Sequence, residues 1–127
     1  MDPFVGDLQM RAARKQSFFR EVNERIASML DPLQQEDPTT EQTWVCECCV
    51  GSCTEWLSLS LKEYERVRSD GTWFLIAPAH HDPLIERVLE RTDRYWLVEK
   101  IEKAAEVARS VDPREAKAPT RKDPPAA

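Results

Sequence analysis

All four cysteines of the chain fall within eight residues, CECCVGSC, at positions 46, 48, 49 and 53. Thiols this crowded can hold a metal, form a disulfide, switch with redox state or act as a nucleophile. Zinc imposes the strictest spacing. With Zn–S near 2.3 Å in a tetrahedron, two thiolates on one ion stand roughly 3.8 Å apart. Cys46 and Cys48 face the same side of an extended chain with Cα atoms roughly 6.7 Å apart, so both can share an ion only if the chain begins to turn at Cys48. Val50-Gly51-Ser52 supplies that turn and Cys53 returns on the far side as a third ligand. Cys49, next to Cys48, points the opposite way and is the least suited of the four. The fourth ligand then comes from elsewhere in the chain, and the histidines His80 and His81 are the candidates.

Two strands joined at a tight loop would hold these thiols. TWVCEC and TEWLSLS bracket the cysteines with aromatic and apolar residues, as a hairpin requires. Ser60-Leu61-Lys62-Glu63 reads as a capping box opening a short helix over 61–69, which ends at Ser69-Asp70-Gly71. WFLIA at 73–77 is a continuous apolar run of strand length, and Pro78 ends it. His80 and His81 therefore lie in a loop just past a strand. Asp82-Pro83 followed by Leu84, Ile85, Val88 and Leu89 fits a helix, but the strand-like YWLVEKI beyond Arg91-Thr92-Asp93-Arg94 favours a hairpin between IERVLER and YWLVEKI.

Residues 8–30 read as an amphipathic helix with Phe19, Val22, Ile26 and Met29 in one row, Asp7 as its cap and Asp31-Pro32 as its end. That row needs a cover: the domain itself, the same helix of a second copy in a homodimer, or a protein partner. Residues 31–42 form an acidic, proline-interrupted linker that lets the helix act apart. After Lys103 an alanine-rich stretch adds at most a helical turn. Residues 104–127 otherwise read as disordered tail from their proline, alanine and charge content. The division is thus a helix at 1–30, a linker at 31–42, a domain at 43–103 and a tail.

The stretches FREVNERI (19–26), VCEC with the later cysteine (45–53), LKEYERVRSD (61–70), FLIAPAHHDP (74–83) and ERVLERTDRYWLVEK (86–100) together resemble a family of small bacterial proteins common in actinobacteria. That family carries no established activity. The resemblance implies a zinc-ribbon-like fold in which Cys46, Cys48, Cys53 and His80 form a Cys3His set for one structural Zn2+ per chain. Cys49 and His81 depart from the family pattern and stand as alternative ligands.

Other classes fare worse. The net charge is −5 and 32% of residues are charged. An acidic chain is poorly suited to wrapping phosphate backbones, so nucleic acid is not an expected partner, although residues 114–127 carry four bases against two acids. No run approaches the roughly 18 apolar residues of a membrane helix. MDPFVGDLQMRAARKQ has an acid at position 2 and no apolar core, so a cytoplasmic location is expected, where thiols stay reduced. With three glycines there is no phosphate-binding Gly-rich loop. His81-Asp82 could orient a base for a cysteine nucleophile, but loop neighbours rarely hold that geometry. Trp44, Trp56, Trp73 and Trp96 fall on proposed strands, where packing accounts for them. The expected protein is an α+β domain with a zinc-ribbon-like hairpin, preceded by a helix, acting as a non-enzymatic interaction or regulatory module. A thiol-based zinc or redox sensor is the alternative, and a weak nucleic-acid binder using the tail a third.

Overall fold

A computed structural model describes residues 3–34, 37, 39–48 and 53–116, with backbone alone at 3–5, 31–34 and 115–116. The elements run α1 (Pro3–Gln34), β1 (Glu41–Val45), β2 (Trp56–Ser60), α2 (Leu61–Val67), β3 (Trp73–Ile76), β4 (Glu86–Arg91), β5 (Trp96–Lys100), α3 (Glu102–Ser110) and α4 (Pro113–Ala116). This is an α+β fold with two small antiparallel sheets, β1-β2 and β3-β5-β4. No helix among the described residues is long and apolar enough to cross a membrane.

The two strands pair antiparallel as expected, with Trp44 opposite Leu57 and Val45 opposite Trp56, but they stop at Val45 and resume at Trp56, short of the cysteines. A two-stranded ribbon is marginal by itself. Here it is pinned at Trp44, which is fully buried, stacks on Tyr64 at 4.2 Å and donates its indole N–H to Leu59 O at 3.0 Å. The capping box is present in both directions. Glu63 N–H donates to Ser60 Oγ and Ser60 N–H to the Glu63 carboxylate, which fixes where β2 becomes α2. Gly71, beyond that helix, is required for space rather than for a positive φ: a Cβ there would stand 2.7 Å from Asp112 Oδ2.

Residues 86–100 form the hairpin rather than the helix, and the register explains the ambiguity. Val88 opposes Val98 while Glu90 opposes Leu97, so Leu89 is the extra residue of a β-bulge. That single insertion breaks the period-2 pattern and leaves Leu84, Ile85, Val88 and Leu89 spaced as on a helix.

Three expectations are corrected. First, α1 starts at Pro3 and runs through Asp31-Pro32 to Gln34, so neither Asp7 nor Asp31 bounds it. Asp7 instead makes an exposed pair with Arg11 one turn on. Second, the helix is docked on the domain through α3 and β1. Its buried row is Gln9, Ala13, Gln16, Arg20, Asn23 and Ala27. That row is one residue out of step with Phe19, Val22 and Ile26, a rotation of about 100°. Burial of so polar a row is possible because its members are hydrogen-bonded. Arg20 donates to Gly71 O at 2.6 Å and Ala108 O at 2.8 Å, and Gln9 to Leu84 O at 2.8 Å. Phe19, Val22 and Ile26 are half-buried beside it, and Met29 is 70% exposed.

Third, the alanine-rich segment is a helix of nine residues whose Ala104, Ala105, Val107 and Ala108 are buried. Alanine is the best helix former, and its small side chain lets α3 lie close on α1. Asp112 beyond it pairs with the buried Arg68, and Arg114 forks onto Glu24 and Glu65, so ordered structure continues to Ala116. The tail from 117 onward lies outside the described residues. Of the linker at 31–42, residues 31–34 belong to α1 and 41–42 to β1, and Thr39 and Thr40 fold back onto Asp37.

Candidate metal centre

Past Val45 the chain leaves β1 and runs beside β3. Glu47 N–H donates to Leu75 O at 2.8 Å, and Leu75 N–H returns to the Glu47 carboxylate at 3.0 Å. Leu75 is a β3 residue whose backbone groups face away from β5, so one residue satisfies both at an otherwise open edge. Alternation then turns Cys46 and Cys48 to the side opposite Glu47. Cys46 and Cys48 are buried at 5% and 1% exposure, and Cys53, re-entering toward β2, is half-buried.

The fourth group arrives by a tight turn. His80 N–H donates to Ala77 O at 3.0 Å, with Pro78 and Ala79 between and Ala79 at φ 69°, which is the pattern of a type II turn. Such a turn normally places glycine where Ala79 stands. An L-residue in this region costs roughly 1–2 kcal/mol, and such strain persists where surrounding structure dictates it. Ala79→Gly is therefore expected to raise the unfolding free energy by about 1 kcal/mol while leaving His80 in place. A denaturant titration showing lower stability would contradict this account of the turn.

The result is one cluster. Ligand atoms of Cys46, Cys48, Cys53 and His80 all lie within 4.8 Å of one another. His80 Nδ1 is 3.7 Å from Cys46 Sγ and 3.5 Å from Cys53 Sγ. A tetrahedral ion with Zn–S near 2.3 Å and Zn–N near 2.0–2.1 Å separates sulfur from nitrogen by about 3.6 Å. Donor set and spacing thus fit a metal ion. Among the sequence candidates, the four expected ligands are brought together, whereas His81 is not. Its ring packs 5.5 Å from Trp96, on which Arg91 also lies at 4.9 Å. Cys49 lies outside the described residues, as does the Gly51 turn.

Crowding and burial hold the thiols of the cluster toward their neutral form. Hydrogen bonding with Cys48, and then burial, push the Cys46 thiol well above its ordinary range. Burial, acting first, raises Cys53 as well. Opposing this, the Ala77 N–H donates to Cys46 Sγ at 3.1 Å and the Glu55 backbone to Cys53, both favouring thiolate. A coordinating cation overturns the balance outright, because a metal-bound thiol is deprotonated.

Glu47 is the buried residue beside the cluster that sequence reasoning missed. It is fully buried, and burial raises its carboxyl above the usual range against hydrogen bonds from Asn23 and Leu75. The signal was available: an acid between two cysteines on an extended chain must point away from the sulfurs and into the domain. Beside the cluster lies an open groove of about 240 Å³, walled by Phe19, Val22 and Trp56 and reaching Cys46 and Cys53. Searches with the whole chain give no matching protein-family model, curated protein or solved structure.

Proposed function

We propose that this chain is a zinc-stabilised interaction module in which Cys46, Cys48, Cys53 and His80 hold one structural Zn2+. The carrying observation is the convergence of those four ligand atoms within 4.8 Å. Three thiols and an imidazole are a soft donor set that suits zinc over the oxygen-seeking cations. The site would tie the hairpin to the β3 turn, and in that sense it is zinc-ribbon-like. Four protein ligands leave no position for water on the ion, which favours a non-enzymatic role. Reduced thiols are in keeping with a cytoplasmic setting.

The interaction half of the reading draws on the surface. Trp56 and Phe18, each 62% exposed, and Met29 at 70%, are large apolar side chains left open to solvent. Aromatic anchors of this kind carry much of the energy of protein interfaces. The membership suggested by the family resemblance is compatible with this role and adds no activity to it. A thiol-based sensor is the second reading, favoured by Cys53 being half-buried and reached by the groove.

Metal analysis after purification under reducing conditions should give close to one zinc per chain, and Cys53→Ser should lose it. A metal-free wild-type protein would overturn the proposal. Reversible loss of zinc with micromolar peroxide supports the sensor reading, and retention of zinc excludes it.

A further inference from the structure

Helix α1 reaches the metal cluster through one side chain. Asn23 is fully buried; its Oδ1 accepts the Val45 N–H at 2.9 Å and its Nδ2 donates to Val45 O, also at 2.9 Å. Val45 directly precedes Cys46, and its backbone groups face away from β2, so the Asn23 amide stands where a neighbouring strand would otherwise pair. The same Nδ2 donates to Glu47 Oε2 at 2.7 Å. Glu47 in turn holds both backbone groups of Leu75, two residues before the Ala77 N–H that donates to Cys46 Sγ. One buried chain of hydrogen bonds thus runs from α1 through Asn23 and Glu47 to both segments that carry the ligands. One turn back, Phe19 and Val22 wall the groove over Cys46 and Cys53.

Resting on the zinc reading above, we infer that metal binding and the docking of α1 are one coupled equilibrium, with Asn23 and Glu47 as the positioning residues. Metal affinity depends on α1 being seated, because Asn23 fixes the backbone on which Cys46 and Cys48 are set. By reciprocity, metal loss loosens α1 by the same factor. The metal then governs how firmly α1, with its half-buried Phe19, Val22 and Ile26, is held against the domain. The coupling is strong because undocking α1 breaks the three buried hydrogen bonds of Asn23, two to Val45 and one to Glu47.

The test uses the full chain and Zn2+ or Co2+ in competition with a chromophoric chelator. Asn23→Ala is expected to weaken metal binding at least tenfold. Glu47→Gln keeps the shape but sets an amide N–H against either the Asn23 Nδ2 or the Leu75 N–H, both donors, and is expected to weaken binding similarly. Arg14→Ala, on the exposed face of α1, leaves the docked face intact and should change affinity less than twofold. Hydrogen exchange on the wild-type protein gives an independent readout should a variant not fold: amides of residues 19–27 should lose protection on chelation by a factor matching the affinity change. Unchanged affinity in folded Asn23→Ala and Glu47→Gln, or α1 exchange indifferent to metal, overturns the coupling and leaves the zinc site standing. Absence of metal binding by the wild type overturns both.

Discussion

Chelation of the purified protein is expected to lower its melting temperature by about 15 °C, and restored zinc to recover it. At a thousandfold excess over its dissociation constant, a ligand bound only by the native state contributes about 4 kcal/mol. For a domain near one hundred residues each kcal/mol moves the midpoint by roughly 4 °C. The effect is centred on the hairpin. Cys46 and Cys48 belong to the same buried cluster as Trp44, Leu57, Leu59 and Tyr64. Without the ion the thiols add only weak S–H contacts to the backbone bonds that join β1 to β2 and Glu47 to Leu75. A second, smaller cluster of Ala13, Ile85, Ala104 and Val107 joins the N-terminal half of α1 to α3 away from the ligands, so structure there should outlast the hairpin. Cys46→Ala should melt near the chelated wild type and ignore added zinc. A midpoint unmoved by chelator and zinc alike would show that the cluster contributes nothing to the fold.

Lys100→Met is expected to cost about 3–5 kcal/mol, the range for breaking a buried ion pair from one side. Lys100 and Glu86 have fully buried side chains paired across β4-β5, and the ammonium also lies 4.7 Å from the centre of the Phe74 ring. Methionine matches the length but strands the carboxylate, which keeps hydrogen bonds from Gln16 at 3.3 Å and the Asp82 N–H at 2.9 Å. Neutralising both ends should recover much of the loss, so Glu86→Gln with Lys100→Met is expected within about 2 kcal/mol of wild type, because paired removal leaves no buried charge. Urea unfolding of the two variants decides this. A single variant within 1 kcal/mol of wild type would mean that Glu86 is not held as a buried anion.

Local chemistry was legible wherever one residue type dictates one geometry. The Ser60–Glu63 box, the apolar run Trp73–Ile76, the paired strands flanking the cysteines and the histidine beyond Pro78 all appear where their sequence signals put them. What escaped was burial of polar residues. The largest apolar residues of α1 define the row Phe19, Val22, Ile26 and Met29, yet the domain receives Arg20, Asn23 and Gln16, whose burial depends on carbonyls and carboxylates distant in sequence. A hydrophobic pattern cannot register such partners. Glu47 was missed for the same reason, since its desolvation is compensated by Asn23 and Leu75. In α3 the misleading feature was composition: alanine, charge and nearby proline resemble a tail, and only docking against α1 makes the segment a helix. His81 matched His80 in sequence, but the turn ending at His80 presents one imidazole to the sulfurs and leaves the next against Trp96.

X-ray absorption at the zinc edge, on full-length protein purified under reducing conditions, tests the central claim most directly. The cluster of Cys46, Cys48, Cys53 and His80 predicts three sulfur scatterers at about 2.3 Å and one imidazole nitrogen at about 2.0–2.1 Å. The nitrogen should disappear in His80→Ala and survive in His81→Ala. Four sulfurs in the first shell, a nitrogen that follows His81, or protein with no zinc edge would contradict the assignment.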